Sequence, residues 1–176
     1  SAWGPWIGGR NQYRGYLPVT GLVPYRDAAS GETSLAMRLD YEPQGDSGWF
    51  DACRLQTIDN PESVKPRTMY RLRVQYRANG ITGPRHSGYP KFGMVAKIGG
   101  SHADCYEPET GTPVTLYGRD TDGWTELVGE WWSGDARFLP RLHLALENVR
   151  SGAAYVRSVS MREVLGGTEE GPEIII

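Results

Sequence analysis

Met69-Tyr70-Arg71-Leu72-Arg73-Val74-Gln75-Tyr76-Arg77-Ala78 is the stretch on which the fold turns. Tyr70, Leu72, Val74, Tyr76 and Ala78 take every second position, and Arg71, Arg73, Gln75 and Arg77 fill the gaps. Successive side chains of an extended chain point to opposite faces. This spacing therefore predicts a strand with one face in a core and one face wet.

The same period continues on both sides. Leu35, Met37 and Leu39 alternate with Ala36, Arg38 and Asp40, and Leu142, Leu144 and Leu146 alternate with Arg141, His143, Ala145 and Glu147. Shorter alternations run from Phe92 to Ile98, Val114 to Tyr117, Trp124 to Trp132 and Ala154 to Val164. Gly- and Pro-bearing stretches separate them, such as Ser30-Gly31-Glu32, Asn79-Gly80-Ile81-Thr82-Gly83-Pro84 and Arg150-Ser151-Gly152. No segment sustains an amphipathic helical pattern. Seven or eight strands at this spacing predict an all-β sandwich or barrel.

Composition agrees. The 176 residues suit one domain and include 23 Gly and 12 Pro, too many to leave room for long helices. The 6 Trp and 10 Tyr far outnumber the 3 Phe, a bias towards rings with a polar handle that suits strands and wet binding surfaces. A net charge of -2 leaves no basic excess to hold a phosphate backbone, which argues against nucleic acid as a partner. No apolar run approaches the roughly 18 residues of a membrane-spanning helix. Ser1-Ala2-Trp3-Gly4-Pro5-Trp6 lacks a basic segment followed by an apolar one, so no signal peptide is expected there. A domain cut from a secreted protein and a cytoplasmic chain without its initiator Met would both begin this way. Cys53 and Cys105 could pair in an oxidising compartment, but two cysteines are too few to form a framework.

Along the chain, residues 1–29 read as an N-terminal arm or edge segment, 30–165 as the sandwich and 166–176 as a C-terminal tail. Gly166 to Glu173 looks like a linker. Ile174-Ile175-Ile176 is apolar for an end, and either packs on this domain or begins a strand continued elsewhere.

The last strands carry a resemblance. Pro140-Arg141-Leu142-His143-Leu144-Ala145-Leu146-Glu147-Asn148, followed by Gly152-Ala153-Ala154-Tyr155-Val156-Arg157-Ser158-Val159-Ser160-Met161-Arg162-Glu163-Val164, resembles the closing hairpin of carbohydrate-binding modules with the galactose-binding-like jelly roll. That group includes families four, nine, sixteen and twenty-two. Ser30-Gly31-Glu32-Thr33-Ser34-Leu35 and Lys65-Pro66-Arg67-Thr68-Met69-Tyr70-Arg71-Leu72 resemble the group's early strands, and Trp124 stands where the strand before the final hairpin begins. The resemblance implies a two-sheet antiparallel jelly-roll β-sandwich that binds a polysaccharide, free or appended to a hydrolase, in a secreted protein. The chain departs from the pattern at Arg157, where an Asp usually serves a structural calcium site. A guanidinium cannot ligate a hard cation, so calcium is disfavoured there and no cofactor is expected. The group's opening strand also has no clear counterpart before Trp3 or Trp6.

Catalysis has no support in the sequence. Glu126 and Glu130 share a face of one expected strand, but their spacing there is about 13 Å, wider than glycosidase carboxylates use. His86, His102 and His143 are scattered, and His102-Ala103-Asp104-Cys105 lacks the paired spacings of a zinc site. Sugar binding needs less: aromatic faces for flat C–H patches and planar polar groups for paired hydroxyls. Trp49, Tyr89 and Tyr106 lie in polar loops and are candidate stacking rings. Alternation sends one of Trp131 and Trp132 outward, and Trp131 is taken as the candidate. Trp124 and Tyr70 are assigned to the core. Wet-face candidates are Arg71, Arg73, Gln75, Arg77, Arg141, His143 and Glu147. So many Arg on one face would suit an acidic polysaccharide. The alternative is a virion structural protein of a bacterial virus, capsid-decorating or tail-associated, that meets neighbouring subunits through its termini.

Overall fold

Antiparallel pairing joins every described strand to its neighbours in a computed structural model of the chain. The structure describes residues 2–5, 21–26, 30–31, 33–41, 51–59, 62–99 and 108–176. Eleven strands lie among them: β1 (Ala2–Pro5), β2 (Gly21–Arg26), β3 (Thr33–Tyr41), β4 (Asp51–Asp59), β5 (Met69–Thr82), β6 (Gly93–Ile98), β7 (Val114–Gly118), β8 (Thr125–Trp132), β9 (Leu142–Glu147), β10 (Ser151–Gly166) and β11 (Glu169–Ile175). One sheet has the order β1-β4-β9-β6-β7. The other has the order β2-β3-β10-β5-β8, with β11 added beside β10. The fold is a two-sheet antiparallel jelly-roll β-sandwich.

The deciding stretch behaves as its period requires. Tyr70, Leu72, Val74, Tyr76 and Ala78 are buried, and Arg71, Arg73, Gln75 and Arg77 stand half-buried on the other side of β5. Opposite them, Met94, Ala96 and Ile98 of β6 and Leu142, Leu144 and Leu146 of β9 complete one core. From β10 come Ala154, Val156, Val159 and Met161. The step between Val156 and Val159 breaks strict alternation, and a bulge between Val156 and Ser158 explains it. Arg157 is the inserted residue, so both it and Ser158 face out while the apolar positions on either side face in.

Three expectations change. Trp131, the proposed stacking ring, is fully buried, packs 5.7 Å from the Tyr70 ring and donates its indole N–H to the Thr110 carbonyl at 3.1 Å. Trp132 is the outward member of the pair, at 38% exposure. Gly111 has a φ of +75°, and a Cβ on it would stand 2.9 Å from the Trp131 indole nitrogen, so the buried ring depends on a glycine. Trp124, assigned to the core, instead lies half-buried on the outward side of the β5–β8 pair. Gly166 to Glu173 is no linker: the chain turns back as β11, Ile176 is buried, and Ile174 packs against the core, the first of the two alternatives for the isoleucines. β1 pairs with β4 at the edge of its sheet.

Trp131→Ala should lower the unfolding free energy by about 3–5 kcal/mol, as loss of a buried aromatic does. Trp132→Ala should cost less than about 1 kcal/mol. Urea denaturation of the two variants checks the assignment, and equal losses would refute it.

Candidate functional site

The outward faces of the two sheets handle polar groups differently. On the β5 face the arginines are already paired. Arg71 donates to Glu130 and to Glu170, both at 2.9 Å, and Arg73 reaches the same Glu170 oxygen. Arg162, in register with Arg71, adds Glu173 at 3.4 Å. Glu170 and Glu173 belong to β11, the strand read from sequence as a linker. Gln75 Nε2 donates to Glu126 at 3.1 Å, and its Oε1 accepts from Arg157 and Ser158, each at 3.2 Å. Glu170 sits below the usual carboxylate range: desolvation pushes it up, but hydrogen bonds and charge from Arg73 and Arg71 outweigh that. Arg71 and Arg73, two members of the ladder that suggested an acidic ligand, are thus neutralised by acids of their own sheet.

The β9 face is organised around one carboxylate. Alternation turns His143, Ala145 and Glu147 outward, yet Glu147 is 4% exposed and Ala145 is buried. Val95, the outward neighbour of Ala145 on β6, is buried as well. Glu147 Oε2 receives the Lys97 ammonium, and its Oε1 accepts the Tyr117 hydroxyl at 2.9 Å. The Tyr89 and Tyr117 oxygens are 3.3 Å apart. Because Tyr117 spends its only proton on Glu147, Tyr89 must donate to Tyr117. Lys91 lies 5.9 Å from the Tyr117 ring centroid, and half-buried His143 stands opposite Lys97 across the ladder. Burial lifts the Tyr117 phenol far above the ordinary tyrosine range, and the hydrogen bond with Tyr89 and the charge of Glu147 reinforce the shift.

Tyr89 is held from the core side. Asn148 follows Glu147 with a φ of 51°, a left-handed conformation that Asn tolerates better than most residues. Its Oδ1 accepts from the His86 amide at 2.8 Å, and its Nδ2 donates to the carbonyls of Tyr89 at 2.7 Å and Lys91 at 3.0 Å. One fully buried amide thereby fixes the loop that carries Tyr89.

Of the residues expected from sequence, Tyr89 and His143 lie on the β9 face with Glu147. Arg71, Arg73, Gln75 and Arg77 lie on the β5 face, and Trp131 lies between the sheets. Trp49, Tyr106 and Cys105 fall outside the described residues. Sequence reasoning missed Lys97 and Tyr117, which sit on strands too short for their period to single them out. Among the described residues no cluster of three or more His, Cys, Asp or Glu could hold a metal ion.

No protein-family model matches the chain, and no curated protein matches it. Solved structures do match. A proposed sugar binding protein from Bacteroides thetaiotaomicron superposes with a TM-score of 0.50 at 13% identity, over 93% of this chain and 88% of that one. An exo-beta-agarase structure gives 0.50 at 9% identity, over 92% of this chain, which spans only 24% of the agarase chain. A family 16 carbohydrate binding module gives 0.47 at 17% identity, over 81% of this chain and 86% of that one. At these identities the likeness is one of fold.

The raised phenol gives a pH prediction. Below the ordinary tyrosine pKa of about 10, Tyr117 is protonated in both folded and unfolded chains and adds no pH dependence. Above it the unfolded chain loses the proton first, so stability falls as pH rises. Tyr117→Phe should flatten the decline in denaturation midpoint between about pH 10 and pH 12. An unchanged slope would show that the phenol titrates as it does in water.

Proposed function

We propose that the chain is a non-catalytic module that binds a polysaccharide across the outward face of β9, β6 and β7. Glu147 carries this reading. A carboxylate costs several kcal/mol to remove from water, and nothing in the sandwich core requires one at an outward position. Glu147 fixes the half-buried Lys97 ammonium and Tyr117 hydroxyl, and through Tyr117 the exposed Tyr89 hydroxyl, before any ligand arrives. Those positioned groups, rather than the buried carboxylate itself, suit a pair of sugar hydroxyls. Tyr89, at 36% exposure, adds an aromatic ring at the edge of the same cluster.

Neutral glycans are the proposed class, because Arg71 and Arg73, two of the arginines that suggested an acidic one, are ion-paired, and Arg77 lies over the Tyr25 ring. A polysaccharide ligand would place the module outside the cell, as part of a secreted protein, free or joined to a hydrolase. No specific observation favours the virion reading. The described parts of the arm and of the tail pair within this domain.

Affinity electrophoresis and titration calorimetry against xylan, mixed-linkage glucan, mannan, agarose, alginate and pectin test the proposal. At least one neutral polysaccharide should retard the protein, and Glu147→Gln should weaken that binding about tenfold or more. Because the variant leaves the half-buried Lys97 ammonium without its carboxylate, its thermal midpoint should also fall, and circular dichroism confirms that it is folded under the binding conditions. Indifference of the unmodified protein to the whole panel would refute it, and so would a folded Glu147→Gln variant that binds equally well.

A further inference from the structure

A second recess lies at the opposite sheet, in the loop between β7 and β8. A cavity of about 400 Å³ opens there, lined by Tyr76, Asp120, Thr121, Asp122, Trp124 and Thr125 among others. That volume is near the small end of the range for small-molecule sites, roughly 300–1,000 Å³. From this geometry we infer that the cavity is a separate site for a single neutral sugar ring, such as a chain end, stacked on Trp124 and hydrogen-bonded to Asp122.

The walls are held before any ligand arrives. Asp120 accepts the amides of Gly80 at 3.1 Å and Ile81 at 2.8 Å. Thr121 exchanges backbone and side-chain hydrogen bonds with Ala78, and the Tyr76 hydroxyl donates to the Arg119 carbonyl. The loop is therefore stitched to β5 up to Thr121. Trp124 is locked separately: the Arg157 guanidinium lies 4.7 Å from its ring centroid, and Tyr25 meets it edge-on at 5.2 Å. Tyr155 stacks on Tyr25 at 4.8 Å, and Arg77 lies over Tyr25 at 5.6 Å. A ring fixed in this way loses little freedom on binding.

Among the described residues, no hydrogen bond is made to two groups in this fixed frame, the indole N–H of Trp124 and the exposed carboxylate of Asp122. A donor and an acceptor beside an aromatic ring match a polyol, which offers both hydrogen-bonding roles and an apolar face. A divalent cation fits poorly, because it needs more oxygen ligands than one free carboxylate supplies and Asp120 is already occupied by two amides.

The site stands apart from the β9 face, so the two can fail separately. The probe is a panel of methyl glycosides of glucose, galactose, xylose and N-acetylglucosamine, and the readout is the Trp124 indole N–H resonance, assigned with Trp124→Phe. At least one glycoside should shift that resonance saturably, at about millimolar affinity for so small a ligand. The shift should persist in Glu147→Gln and weaken at least fivefold in Asp122→Ala. Calcium alone should leave the resonance unmoved. The inference falls if no glycoside shifts the resonance, if calcium shifts it in their place, or if Asp122→Ala binds as before. Polysaccharide binding that depends on Glu147 would survive any of these results.

Discussion

The ladder between β5 and β10 sets the phase of the molecule. Each strand must keep one row of side chains in the core, and a slip of one residue would turn every row over. Between Tyr70 and Ala78 the sequence alternates without error, whereas β10 contains Val156-Arg157-Ser158-Val159, one residue too many. The bulge at Arg157 absorbs the surplus, so both halves of β10 face the same core. Its two halves also have different outer neighbours. Gly152 to Val156 pair with β3, and Ser160 to Gly166 pair with β11.

That arrangement explains why the arginine ladder is compatible with stability. A row of like charges across adjacent strands is unfavourable unless opposed. Acids from both sides oppose it here: Glu126 and Glu130 from β8, and Glu170 and Glu173 from β11. Exposed ion pairs contribute little one by one. Their joint effect is to remove a positive field that would otherwise attract polyanions. The β9 face does the reverse and withdraws a single carboxylate from water beneath a lysine and two phenols.

The fold was legible because burial follows the period of two so closely in β5, whereas β9 is buried on both sides from Leu144 onward. The site was less so, for reasons that differ by residue. The inward member of the Trp131–Trp132 pair is chosen by register with Tyr70, and register is a pairing between distant segments that no local pattern reports. The length of β11 was hidden by Gly166 and Gly167, which read as a linker; Gly166 closes the ladder opposite Glu169, and Gly167, with a φ of +55°, forms the hairpin turn with Thr168. Arg157 was noticed only as a break from an expected Asp. In three dimensions it is the bulge residue, and it caps Trp124 with a cation at the position where the resembled group usually carries an Asp.

Glu147 and Asn148 show how a packing strand positions a buried carboxylate beside an exposed ring. Leu142, Leu144 and Leu146 bind β9 into the core, so the outward direction of Glu147 is fixed by three buried leucines rather than by its own contacts. The chain then turns through a left-handed residue, and Asn148 sends its amide back under the loop that presents Tyr89. The carboxylate and the edge aromatic are therefore referenced to the same strand end. Their separation depends on backbone geometry at two consecutive residues, not on flexible side chains meeting across a gap. A ligand gains most from such a surface when it is itself extended and repetitive, because the face continues across β6 and β7 in register. A polymer can use every row of that face, whereas a compact ligand would use one.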